Sequence, residues 1–114
     1  MRRVNPKKLN ALQLRTLAIL QGLASDDRFA EAPDAEGAVT LRSLPHAHGD
    51  HFHVGDGVVL VRDATGLFNP AVHRALVRKH LLRADAAGPP TLTAEGLAYD
   101  TGIADTILHR SDHA

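Results

Sequence analysis

Apolar residues recur near helical spacing early in the chain, at Leu9, Leu12, Leu17, Leu20 and Leu23, and Leu14 and Ile19 widen the arc. Asn5 is a good N-cap and Pro6 suits a first turn, where its missing N–H costs nothing. The pattern predicts a helix over 6–24. So wide an arc asks for burial on two sides and points to a partner subunit on one of them. Residues 25–37 are acidic and polar and read as a loop. Val39-Thr40-Leu41-Arg42 alternates and predicts a short strand. Phe52 and Val54, alternating with His51 and His53, predict a second. In Val58-Val59-Leu60-Val61 two readings compete: a buried strand, from the β-branched residues, or a short helix capped by Asp56 and stopped at Gly66. Asn69-Pro70 repeats the helix-opening pair, and the helix it begins runs to Lys79 with Val72, Ala75, Leu76 and Lys79 on one side. It ends near His80, one of the non-glycine types that tolerate positive φ. Leu81-Leu82-Arg83 and Thr91-Leu92-Thr93, separated by turn-forming residues 84–90, predict a hairpin. Thr93 caps a last helix reaching about His109.

The resulting order is long helix, short strand, short helix, glycine turn, second helix, hairpin, helix. The stretch "TGLFNPAVHRALVRKHLLR" followed by "LTAEGLAYDTG" resembles the winged helix-turn-helix of MarR- and PadR-like regulators. The matching pieces are the Gly66-Leu67 turn, a recognition helix at Pro70–Lys79 with Val72 and Leu76 inward, the His80-Leu81-Leu82 exit, and Leu92-Thr93-Ala94-Glu95-Gly96 leading from the wing into a helix. The likeness covers about residues 56–102 and tips "VVLV" towards helix. Arg62 stands where many such motifs place a small residue, and His80 replaces the usual glycine. The resemblance implies one α+β winged helix-turn-helix domain over 1–114. Its parts are a first helix at 6–24, an acidic, histidine-rich connection at 25–55, the helix-turn-helix at 56–80, the wing at 81–93 and a C-terminal helix at 94–109. It also implies a homodimer joined through the first and last helices, acting as a DNA-binding transcriptional regulator.

Charge changes that picture only in part. Net charge is zero, which argues against a strong nonspecific binder of polyanions. The signs are nonetheless segregated: residues 1–15 hold five Lys and Arg and no acid, residues 70–83 hold Arg74, Arg78, Lys79 and Arg83 and no acid, and residues 25–63 hold eight acids against three bases. A helix laid in the major groove needs bases or amides outside and apolar residues beneath. Arg74 and Arg78, four residues apart, share a face, with His73 beside them and Asn69 at the helix start. These four, with Lys79 and Arg83, are the candidate contacts to double-stranded DNA; Arg2, Arg3, Lys7 and Lys8 could add phosphate contacts. The wing tip, "DAAGPP", carries Asp85 and no base. The competing reading is a winged-helix module that binds metal or protein and has no affinity for DNA.

Four of the eight histidines lie in "LPHAHGDHFHVGDG", Leu44 to Gly57. His46-Ala47-His48-Gly49-Asp50-His51 fits H-x-H-x-D-H, the metal signature of metallo-β-lactamase-type hydrolases. The context does not fit: those enzymes place the motif after a buried strand in a much larger two-sheet fold. A cupin likewise needs many more strands. A simpler site remains. His46 and His48, or His51 and His53, project to one side if extended, and Asp50 adds a carboxylate. That ligand set, His46, His48, Asp50, His51 and His53, suits Zn²⁺ or another divalent transition metal. The alternative is a polar loop of solvated or capping histidines.

Composition closes other routes. The chain has no cysteine, so disulfides and thiolate metal sites are excluded. No serine, histidine and acid form a nucleophile pattern, and no glycine-rich phosphate loop is present. The expectation is a binding protein and not an enzyme. No uninterrupted apolar run follows Met1-Arg2-Arg3, so neither a signal peptide nor a membrane span is expected, and a cytoplasmic location is the reading.

Overall fold

In the computed structural model, residues 5–55, 57–84 and 88–110 are described. Arg2, Arg3, Asp56 and the hairpin tip at 85–87 lie outside them, as do residues 111–114.

The chain is a mixed α+β fold wrapped around its first helix. Helix α1 spans Ala11–Ala24 and starts five residues later than the Asn5-Pro6 pair predicts. Asn5 takes φ +46°, and its side chain accepts from the Leu9 amide and donates to the Leu9 carbonyl, so the pair makes a turn. The cap is Asn10 instead. Its side chain accepts from Gln13 N at 2.8 Å, and Gln13 Oε1 accepts from Asn10 N at 3.0 Å, a reciprocal capping box. Leu17, Ile19, Leu20 and Leu23 are fully buried, with Leu14, Thr16 and Ala18 scarcely more exposed. The wide arc of α1 needs no partner subunit to cover it. Strand β2 (His51–Val54), helix α2 (Pro70–Arg78), strand β4 (Thr91–Leu92), helix α3 (Ala94–Ala98) and helix α4 (Ala104–Ile107) pack against it from the same chain. At about 1.5–3 kcal/mol per buried large apolar side chain, this helix is the centre of the fold's stability.

Strand β1 (Val39–Thr40) pairs antiparallel with β4, Val39 opposite Leu92 and Thr40 opposite Thr91. Leu82 bridges to Leu92 on the other side, and Arg83 N donates to Thr91 O at 2.8 Å, which gives the expected hairpin in a shorter form. A second sheet joins β2, β3 (Gly57–Leu60) and β5 (His109–Arg110) in that order. In β2 the alternation holds: Phe52 and Val54 are buried, His51 and His53 half-buried on the other face.

Segment 57–60 departs from the helix-turn-helix expectation. It is a strand paired with β2, with Val59 opposite Phe52, and only a 3₁₀ turn, Val61–Asp63, follows it. Gly55, at φ +57°, supplies the left-handed turn that a tight hairpin requires. With Val59 fully buried in the core, the β-branched residues serve the sheet. The C-terminal helix is also interrupted: α3 ends at Tyr99, whose extended backbone (φ −65°, ψ 128°) leads to α4. Gln21 Nε2 donates to the carbonyls of Gly96 and Tyr99 at 2.9 and 2.8 Å, satisfying the end of α3 from the side of α1.

The Leu-Thr-x-x-Gly motif has a local physical role. Thr93 Oγ1 accepts from Gly96 N at 2.9 Å and donates to His80 O at 2.7 Å, so it caps α3 and fastens it to the exit of α2. Gly96 sits so close to Leu81 that an added Cβ would lie 2.0 Å from the Leu81 carbonyl oxygen. His80 adopts φ +65°, the conformation its place after α2 demands. Among the described residues no helix is long and apolar enough to cross a membrane.

Candidate interaction surface

Helix α2 begins as its sequence predicts. The Asn69 side chain accepts from Ala71 N at 2.9 Å, and Pro70 opens the first turn. Val72, Ala75 and Leu76 are buried against the core. The opposite ridge carries Ala71, Arg74 and Arg78, all exposed.

The structure separates the six candidate DNA contacts. Asn69 is exposed, with its side-chain oxygen used as the cap. His73 Nε2–H donates to Leu67 O at 2.6 Å, so this ring holds the turn before α2. Lys79 Nζ donates to Lys7 O at 2.7 Å and ties α2 to the segment leading into α1. Arg83 Nη2 is 3.0 Å from both Asp34 Oδ2 and Glu36 Oε1. The Ala38 amide is the largest influence holding the Asp34 carboxyl below its ordinary value; desolvation opposes it, and Arg83 and the Glu36 amide reinforce it. The charge of Arg83 is therefore matched by the acidic 25–37 loop. Arg74 and Arg78 remain, with no acid in ion-pair range among the described residues. Lys7, a candidate phosphate contact, pairs with Glu95 at 2.9 Å, while Lys8 is exposed.

Beside the arginine ridge runs an open groove of about 450 Å³, between α2 and residues 82–83 and 88–90. Leu44, Leu67, Val77, Leu82 and Pro90 give it an apolar lining, and Arg74 and Arg83 stand on opposite lips. Phe68 lines it too and is 59% exposed; among the described residues Val61 is the other exposed large apolar side chain. Sequence reasoning passed over Phe68. The available signal was an aromatic placed directly before a helix cap, in a chain with few aromatics.

The metal expectation is overturned. His48, His51 and His53 do come together, with ring centroids 5.0 Å apart for His51 and His53, 5.2 Å for His48 and His53, and 6.3 Å for His48 and His51. The contacts to His53 are edge to face, at 69° and 80°. Such packing turns ring faces and edges toward one another, whereas a Zn²⁺ site needs nitrogen lone pairs meeting about 2.0–2.1 Å from one point. His51 Nδ1 instead lies 3.3 Å from Asp50 Oδ1, on a carboxylate that is 89% exposed. His46 lies on the exposed loop, lining an open hollow with Arg28, Phe29, His48 and His53. Among the described residues no group of three or more His, Asp or Glu side chains could hold a metal ion. The set His46, His48, Asp50, His51 and His53 is a polar surface around β2.

One buried charge organises this end of the molecule. The Asp26 carboxylate accepts from Arg28 N and Nε at 3.0 Å, Arg28 Nη2 at 2.6 Å and Gly55 N at 2.9 Å. It joins the exit of α1 to the β2–β3 turn. The Arg28 side chain is the largest influence holding this carboxyl at about 2; burial opposes it, and the Arg28 and Gly55 amides reinforce it.

No family model, no curated protein and no solved structure matches this chain.

Proposed function

We propose that the protein binds double-stranded DNA through the outer ridge of α2, as a small regulator of winged-helix type. The observation that carries the reading is the pair of exposed guanidinium groups, Arg74 and Arg78, one turn apart on a helix whose other face is locked into the core. Bidentate arginine contact with guanine edges is the commonest specific interaction in the major groove. A helix held by Val72, Ala75 and Leu76 beneath, and capped by Asn69 with its N-terminus exposed, is a rigid support for such contacts. The pairing of β1 with β4, and the bridge from Leu82, supply the short sheet that a wing would extend.

The strand at 57–60 stands where a helix-turn-helix would place its first helix, so α2 is braced by α1 instead. With Arg83 matched by Asp34 and Glu36, the contact rests on two arginines. Its salt dependence should be shallow, with a slope near −2 in log affinity against log salt. The test is anisotropy of a labelled mixed-sequence duplex at low and moderate salt. Changing Arg74 and Arg78 together to Ala should weaken binding at least about tenfold, since each good arginine contact is worth about 1–3 kcal/mol. An affinity unchanged in the double variant, or no binding by the native chain at low salt, would remove the DNA reading.

A further inference from the structure

We propose that the groove between α2 and residues 82–83 and 88–90 docks a short acidic segment of a partner protein, with an apolar side chain against Phe68 and a carboxylate on Arg74. This surface is distinct from the DNA ridge, with which it shares only Arg74.

The dimensions fit a peptide. Helix α2 has nine residues, so at about 1.5 Å each its lip is about 13 Å long. An extended chain rises about 3.3 Å per residue, so roughly four residues span the lip. The groove is open and holds about 450 Å³, within the range of ligand-sized sites. Its apolar lining is continuous with the core: Leu67 and Leu82 are buried core residues, and Val77 packs against the same cluster. Phe68 extends that lining outward, its ring 6.2 Å from that of Phe52, and it stays 59% exposed. Isolated exposed apolar residues are ordinary. An aromatic placed along an apolar groove is different, because one partner side chain can cover both at once, and covering the exposed part of such a ring is worth about tenfold to a hundredfold in affinity.

Charge selects the partner. The α2 lip carries Arg74, with no acid in ion-pair range among the described residues, while Arg78, one turn further on, lies outside the groove lining. On the opposite lip Arg83 already holds Asp34 and Glu36. Among the described residues the α2 lip is thus the positive one, above an apolar lining, whereas the opposite lip, where one guanidinium meets two carboxylates, is net negative. The complementary segment places a large apolar residue in the groove and Asp or Glu toward α2. A basic or uncharged apolar segment would leave Arg74 unanswered.

The experiment is selection of random dodecapeptides displayed on phage against the full chain, with anisotropy of the enriched peptides on the native chain and on three variants. Enrichment of acidic sequences containing Phe, Leu or a similar residue is expected. Their affinity should fall at least about tenfold in Phe68→Ser and in Arg74→Glu, and stay within about twofold in Arg78→Ala, which leaves the groove intact. Phe68 is exposed, so Phe68→Ser should keep the native melting temperature, which excludes misfolding as the cause. Failure to enrich such peptides, enrichment of basic ones, or binding indifferent to Phe68 would overturn the proposal. So would a dimer in sedimentation that Phe68→Ser dissolves, which would give the groove to a second copy. The DNA reading is judged separately: duplex affinity should fall in Arg78→Ala and survive Phe68→Ser, so either idea can fail while the other stands.

Discussion

Asp26 offers the sharpest quantitative test of how this chain holds together. Its side chain is only 7% exposed and receives hydrogen bonds from Arg28 and from Gly55, twenty-nine positions away. The carboxyl is held at about 2 against an ordinary 3.8. Each pH unit between the folded and unfolded values is worth about 1.36 kcal/mol, so the ionised group contributes about 2 kcal/mol to stability at neutral pH. Because the folded value lies below the unfolded one, that contribution is complete above about pH 4 and is lost as the pH falls through about 2. Asp26→Asn keeps the shape and removes the charge. Urea unfolding followed by circular dichroism at several pH values should place the variant about 2 kcal/mol below the native chain at pH 7. By pH 2.5 the gap should shrink to about a third of that. Asp34, whose carboxyl is also held low, titrates in both proteins and cancels in the difference. A gap that is absent at pH 7, or unchanged down to pH 2.5, would refute the assignment of Asp26 as the charged tie between α1 and the β2–β3 turn.

Two further substitutions probe the packing. Gly96→Ala places a Cβ 2.0 Å from the Leu81 carbonyl oxygen and 2.9 Å from its carbon; backbone cannot step aside cheaply, and a loss of about 3 kcal/mol in denaturant unfolding is expected, so a loss below about 1 kcal/mol would refute the close approach. Thr16 is buried in α1 and its hydroxyl has no hydrogen-bond partner among the described residues, so Thr16→Val should raise the melting temperature by a few degrees, corresponding to about 1 kcal/mol regained from an unpaired buried group; a lower melting temperature would mean that the hydroxyl is satisfied.

Much of the fold is legible from local chemistry. Asn69-Pro70 starts α2, Thr93 starts α3, His80 takes positive φ, and Phe52 and Val54 face inward from β2. Each is set by a cap, a fixed φ or a period of two, and such effects act over a few residues. The β3 strand was also within reach. Gly55-Asp56 between two apolar-rich runs is a hairpin signal, and Val58-Val59-Leu60 has strand propensity. The likeness to a winged helix points instead to a helix here, and it carries no information on how residues 51–54 would pair.

Local chemistry along the chain therefore specifies the elements with strong punctuation, the apolar character of α1 and the arginine pair on α2. Which of these groups remain available is set by long-range packing. Local pattern cannot say that Arg83 meets Asp34 and Glu36 nearly fifty positions away, that Lys79 reaches the Lys7 carbonyl, or that three histidine rings pack edge to face. Those outcomes depend on contacts between segments remote in the chain, fixed when α1 is surrounded and the two small sheets close over it. The same packing covers the wide face of α1 and leaves Phe68 beside a groove. An exposed charge or ring becomes a candidate site only after the long-range contacts have claimed the others.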